Sequence, residues 1–74
     1  MSILRIMSGQ EVMRKLKRGG FTFTNTKGSH YFFHNIRTNH TTSVPLHGGK
    51  DIGRNLLRKI IKQAGLSVEE FNRL

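Results

Sequence analysis

Cysteine is absent from the 74 residues, which excludes disulfides and thiolate metal sites together. A chain this short and without staples stands near the lower limit for a hydrophobic core, so its stability has to come from a few well-packed elements. It makes one domain, and a deep enclosed substrate pocket is not expected. Activity is expected at the surface, on something extended. Carboxylates are scarce as well. Four Asp and Glu are too few for a carboxylate-rich magnesium site, and Glu69 and Glu70 fall where a helix starts, so a two-metal nuclease is disfavoured. Long apolar runs are also missing. The N-terminal MSILRIMSGQ is too short in apolar residues for a signal peptide, and nothing approaches a membrane span. A soluble cytoplasmic protein is therefore expected, in which the sequon Asn39-His40-Thr41 has no role.

What the chain has in excess is positive charge. Thirteen Lys and Arg against four Asp and Glu give +9 at pH 7, a density that favours association with a polyanion. The basic residues cluster at helical spacing. Arg14, Lys15, Lys17 and Arg18 surround a short Val12/Leu16 stripe, and Arg54, Arg58, Lys59 and Lys62 alternate with Leu56, Leu57, Ile60, Ile61 and Ala64.

These patterns predict a helix over residues 9–18, capped by Ser8 with Glu11 reaching back and stopped by Gly19-Gly20. Phe21-Thr22-Phe23-Thr24 alternates with period two and reads as a strand. Residues 25–28 read as a turn, 29–34 as the returning strand and 35–39 as a polar loop. A third strand over 40–44 ends at Pro45, which has no N–H for a ladder. The strongest helical periodicity spans 53–64, closed by Gly65, and Ser67-Val68-Glu69-Glu70 is a second capping box opening a short terminal helix. Three short-connected strands make an antiparallel sheet, and two amphipathic helices have to cover one of its faces. The expected fold is α+β, ordered α-β-β-β-α with a short helix appended, and with the other sheet face open. Phe21 and Phe23 read as core, Phe32 as a residue of the open face.

Four histidines invite a metal reading. His30 and His34 lie on a strand, about 13 Å apart at ~3.3 Å rise per residue, whereas zinc holds nitrogens near about 2.1 Å. No metal and no cofactor is expected. Strand parity puts Tyr31 and Phe33 on the core side, which leaves His30 on the open face beside Phe32. An imidazole on a basic, accessible surface suits RNA cleavage. RNA carries its own nucleophile in the 2′-hydroxyl, and the protein has only to move protons and stabilise charge on the phosphorane. Lys27 would supply positive charge, and His47 is a candidate second proton-transfer group. Gly48-Gly49-Lys50 lacks the upstream glycine and following Ser/Thr of a phosphate loop, so its glycines serve a turn.

From Ser8 to Phe71 the chain resembles the HicA family of toxin ribonucleases, the mRNA interferases of toxin–antitoxin pairs. The resemblance is carried by Gly20-Phe21, Lys27-Gly28-Ser29-His30, Val44-Pro45-Leu46-His47, Gly53 and Ile60-Ile61-Lys62-Gln63-Ala64-Gly65-Leu66-Ser67. It implies a fold similar to a double-stranded-RNA-binding domain, with His30 of the Gly-Ser-His motif as the catalytic residue. It also implies cleavage of messenger RNA and neutralisation by a HicB-type antitoxin. The chain departs from the family pattern at Asn25, where many members have arginine, and at Arg54, where a threonine is common; both bear on phosphate contacts. RNA-binding residues are expected at Lys27, Ser29, His47, Lys50, Arg54 and Arg58. The competing reading is a non-catalytic RNA-binding module of the same fold, which needs the basic residues but not His30. A membrane-active cationic helix at 56–62 is a weaker alternative, because the domain needs that apolar stripe for its core.

Overall fold

Helix starts and stops are set by short-range hydrogen bonds. In the computed structural model, which describes residues 3–74 (Met1 and Ser2 lie outside the described residues), the elements are β1 (Met7–Ser8), α1 (Gly9–Arg18), β2 (Thr22–Lys27), β3 (His30–Asn35), β4 (His40–Pro45), β5 (Asp51–Ile52), α2 (Arg54–Gln63) and α3 (Val68–Asn72). Ser8 Oγ accepts from the Glu11 N–H at 3.2 Å, satisfying one free donor of the first turn. The expected reciprocal bond is replaced: the Glu11 carboxylate takes Arg14 Nη1 at 2.9 Å. At Ser67 the box is complete. Ser67 Oγ accepts from Glu70 N and Glu70 Oε1 accepts from Ser67 N, at 3.0 and 2.9 Å. Those bonds from Ser67, the backbone one foremost, hold the Glu70 carboxyl below its ordinary pKa.

Both long helices end the same way. After α1, Gly20 N bonds to Lys17 O and Phe21 N to Leu16 O; after α2, Gly65 N bonds to Lys62 O and Leu66 N to Ile61 O. This is the paired-bond stop that needs a left-handed residue, and Gly20 and Gly65 supply φ of 94° and 73°. Gly65 has a second constraint, because a Cβ there would lie 2.6–2.8 Å from the His40 ring. Gly65→Ala is therefore expected to lose about 1–2 kcal/mol from backbone conformation alone, read as a lowered urea midpoint with unchanged slope. An unshifted midpoint would count against this account.

The sheet is ordered β2-β3-β4 and is antiparallel throughout. The β2–β3 turn is shorter than expected. Strand pairing persists to Lys27↔His30, leaving Gly28-Ser29 as a two-residue loop with φ of 62° at its glycine. A positive φ at the first loop position suits the type II′ hairpin, whose twist matches the strands it joins. The expected turn residues Asn25–Lys27 are thus strand, and a bulge between Phe23 and Asn25 corrects the register.

One face carries the core. Phe33, Thr42 and Val44 are buried there against Val12 and Leu16 of α1, Leu57, Ile60 and Ile61 of α2, and Phe71 of α3. Thr42 Oγ1 donates to Ile60 O at 3.0 Å. Asn35 is buried but satisfied: Nδ2 donates to Gly19 O and Oδ1 accepts from Arg37 N. It ties the end of α1 to the central strand. Phe21 is core as expected, whereas Phe23 is 44 % exposed. Its parity is that of Phe33, but no residue of the edge strand β2 is buried. The ring instead rests on Tyr31 and Phe33, with centroids 6.1 and 5.8 Å away.

The pairing of β1 with β5, Met7↔Ile52 and Ser8↔Asp51, was not expected from sequence. Two residues per strand show no alternation, and the pairing depends on where the 46–50 loop returns the chain.

Candidate nucleic-acid interface and active site

The glycine turn delivers His30 to the first position of β3, the central strand. There it pairs with Lys27 on one side and Pro45 on the other. Directly opposed residues share a face with Cβ atoms about 4.5–5.5 Å apart, so Lys27 stands beside His30. The open face continues through Phe32 and His34, flanked by Asn25 and Thr22 on β2 and by Ser43 and Thr41 on β4. Leu46 N donates to Ser29 O at 2.9 Å, extending the pairing past Pro45 and fixing the backbone on both sides of the imidazole. His30 itself is exposed.

Beside it is a shallow cleft of about 130 Å³. β4 is the edge strand and α2 packs alongside it, so one flank of the helix meets the open face of the sheet. His30, Ser43 and Pro45 form the sheet side, and Leu56, Lys59 and Gln63 the helix side. Gln63 reaches Thr42, with Thr42 Oγ1 to Gln63 Oε1 at 3.3 Å. The imidazole thus lies between two lysines, one on β2 and one on α2. Among the described residues the single ion pair is Glu11–Arg14, so neither ammonium is neutralised by a carboxylate.

The residues expected to hold RNA are distributed unevenly. Lys27 adjoins His30, and Ser29 forms the turn that positions it. His47 and Lys50 are exposed in a turn closed by Lys50 N to His47 O at 3.0 Å and do not line the cleft. Arg54 Nε donates to Leu4 O at 3.1 Å, holding the N-terminal segment. Arg58, one turn further on, shares that far flank of α2 and is exposed. Neither arginine lines the cleft. Lys59 belongs to the basic helix face expected from sequence, whereas Gln63, Leu56 and Ser43 enter the site only through the fold. Their spacing at i, i+3 and i+7 puts Leu56, Lys59 and Gln63 on one flank, but nothing in the sequence says which flank turns toward His30.

The other histidines serve elsewhere. His34 Nδ1 and Thr41 Oγ1 are 2.9 Å apart on the open face, the His40 ring packs on Gly65, and His47 is in its loop. Among the described residues no three His, Cys, Asp or Glu side chains are grouped to hold a metal ion, and no helix is long and apolar enough to cross a membrane. A larger recess of about 600 Å³ between the N-terminal segment, α1 and α3 is lined by Ile3, Ile6, Met7 and Lys15 among others and contains no imidazole.

Comparison with known proteins bears on the family of the whole chain. Residues 9–66 match the sequence model of the family described as HicA toxin of bacterial toxin-antitoxin. A protein of Pseudomonas fluorescens (strain Pf0-1) called "Probable mRNA interferase HicA" is 39 % identical over 61 residues, covering 81 % of this chain and 97 % of that protein.

Proposed function

The chain belongs to the HicA family of bacterial toxin–antitoxin toxins, and from that premise we propose that it is a metal-independent endoribonuclease that cleaves messenger RNA in the cytoplasm. His30 acts as the general acid/base. The observation that carries the reading is the placement of His30: exposed, rigidly held at a strand start, and flanked by Lys27 and Lys59 across a cleft.

In the reaction the 2′-hydroxyl of one nucleotide attacks its own 3′-phosphorus, and the bond to the next O5′ breaks. One proton leaves the 2′-oxygen and one is gained by O5′. His30 performs one of these transfers, and solvent, which reaches this open face, performs the other. Lys27 and Lys59 oppose the charge that builds on the phosphorane oxygens, which is the larger contribution expected of a site with few proton-transfer groups. The products are a 2′,3′-cyclic phosphate and a 5′-hydroxyl.

The same surface suits a HicB-type antitoxin as protein partner. A cationic face that also exposes Phe32 in part and Leu56 more fully offers both charge and apolar contact, and covering it would exclude RNA.

This chemistry is tested by an RNA with a single 2′-deoxynucleotide at the mapped cut site. Cleavage there is expected to disappear, while cleavage of the all-ribo strand is unaffected by EDTA. Cutting of the deoxy-substituted strand, or loss of activity with EDTA that Mg²⁺ restores, would refute the mechanism.

A further inference from the structure

Proton transfer and phosphate binding at His30 do not account for the shape of the neighbouring cleft. Its lining is mixed: Leu56 on the helix, with the buried Pro45 and Ile60 behind it, supplies apolar surface, and His30, Ser43, Lys59 and Gln63 supply polar groups. A phosphate would be met by Lys59 and His30 but would gain nothing from the leucine and proline. A flat, unpaired nucleobase would, and at about 130 Å³ the space admits one base rather than a nucleotide.

The Gln63 side chain is also held for recognition. Thr42 is buried, and its hydroxyl has one proton and two oxygen neighbours, Ile60 O at 3.0 Å and the Gln63 amide at 3.3 Å. With the proton on the nearer carbonyl, the hydroxyl accepts from the amide. The two amide orientations of Gln63 occupy the same space, and the one that satisfies both contacts puts Nε2 on Thr42. The amide oxygen and the remaining N–H are then left for the cleft. An adjacent acceptor and donor on a glutamine amide form the fork that pairs with the N6 amino group and N7 of adenine.

We propose that the cleft between β4 and α2 is a single-base subsite, in which Gln63, pinned by Thr42, selects adenine at a nucleotide flanking the scissile phosphate. The proposal deepens the endoribonuclease reading and rests on it for the word scissile. A base can enter only if it is unstacked, so the substrate presents a single-stranded segment here.

The test compares Gln63→Leu, of similar size and without polar atoms, with the unaltered protein. Both digest an RNA pool randomised around one position, and fragment ends are sequenced. The readout is the ratio among bases at each position, which a change in overall rate does not alter. Unaltered protein is expected to favour adenine beside the cut by about tenfold, and Gln63→Leu to reduce that ratio to near one. An adenine preference that survives Gln63→Leu, or the absence of any adenine preference beside the cut, overturns the proposal. Binding separates this outcome from failure of the catalytic reading. Single-stranded RNA heptamers differing only in the central base are titrated into the unaltered protein with uncleavable 2′-deoxy linkages, following amide signals by NMR. Tighter binding of the adenine heptamer with shifts at Ser43 and the Gln63 side chain sustains the subsite even if no cleavage occurs. Equal binding of all four, or shifts that bypass those residues, removes it.

Discussion

His30→Ala lowers RNA cleavage by a factor of about 10²–10⁴, the range expected for loss of a positioned proton-transfer group, while RNA binding and folding stay in place. The separation is possible because the ring is exposed and is not part of the buried cluster, so its removal leaves no cavity. Binding, in turn, is supplied by charge distributed over Lys27, Lys59 and the wider cationic surface, of which one imidazole is a small share. Cleavage is measured in single turnover on a single-stranded transcript, and binding by anisotropy on a strand that the protein cannot cut. A pure RNA-binding module gives a different pattern: transcripts remain equally intact with either protein. Undiminished cleavage by His30→Ala would remove the imidazole from the mechanism.

Phe71→Ala costs about 3–5 kcal/mol, the usual range for truncating a fully buried phenylalanine. Domains of this kind have only about 5–15 kcal/mol in total, so the midpoint of thermal unfolding falls by roughly 12 °C or more. Phe71 lies on the five-residue α3, beyond residues 9–66 that match the family, yet its exposure is 0 % and it belongs to the central cluster with Leu16, Phe33 and Leu57. Lys15 fastens it from outside, with Nζ 5.3 Å from the ring centre and donating to Leu74 O at 3.1 Å. Circular dichroism on heating decides the matter. A midpoint close to that of the unaltered protein would mean that α3 is an appendage and not a wall of the core.

The short-range devices were readable in advance. Ser8, Gly20, Gly65 and the Ser67/Glu70 box act on backbone groups within a few residues of themselves, so their sequence signals stay unambiguous. The helix stripes and the Tyr31/Phe33 side of β3 follow from a period and not from a partner, with one exception: Leu56, expected in the core stripe of α2, is 41 % exposed on the cleft flank. Departures from these expectations arise where a turn can close in more than one place or where a distant element intervenes. Asn25 to Lys27 carry turn chemistry, but the two-residue loop at Gly28-Ser29 lets them pair with β3. Phe23 has the parity of a core residue, but the helices leave its edge strand uncovered. The β1–β5 pair joins residues more than forty positions apart.

The candidate site divides along the same line. His30, its open face and the proximity of Lys27 follow from a glycine turn and strand alternation, both local properties of residues 27–34. The helix side of the cleft does not. Leu56, Lys59 and Gln63 share a flank by helical spacing, as Arg54 and Arg58 share another, and composition makes the arginine flank the stronger candidate for RNA. Packing α2 against the β4 edge turned the lysine and glutamine toward His30 and gave Arg54 to the N-terminal segment. Local hydrogen bonding and periodicity are encoded within a few residues and settle which elements form and which way each side chain leaves them. The rotation of one element against another depends on burying all the apolar stripes at once, a property of the assembled core that no single stretch contains.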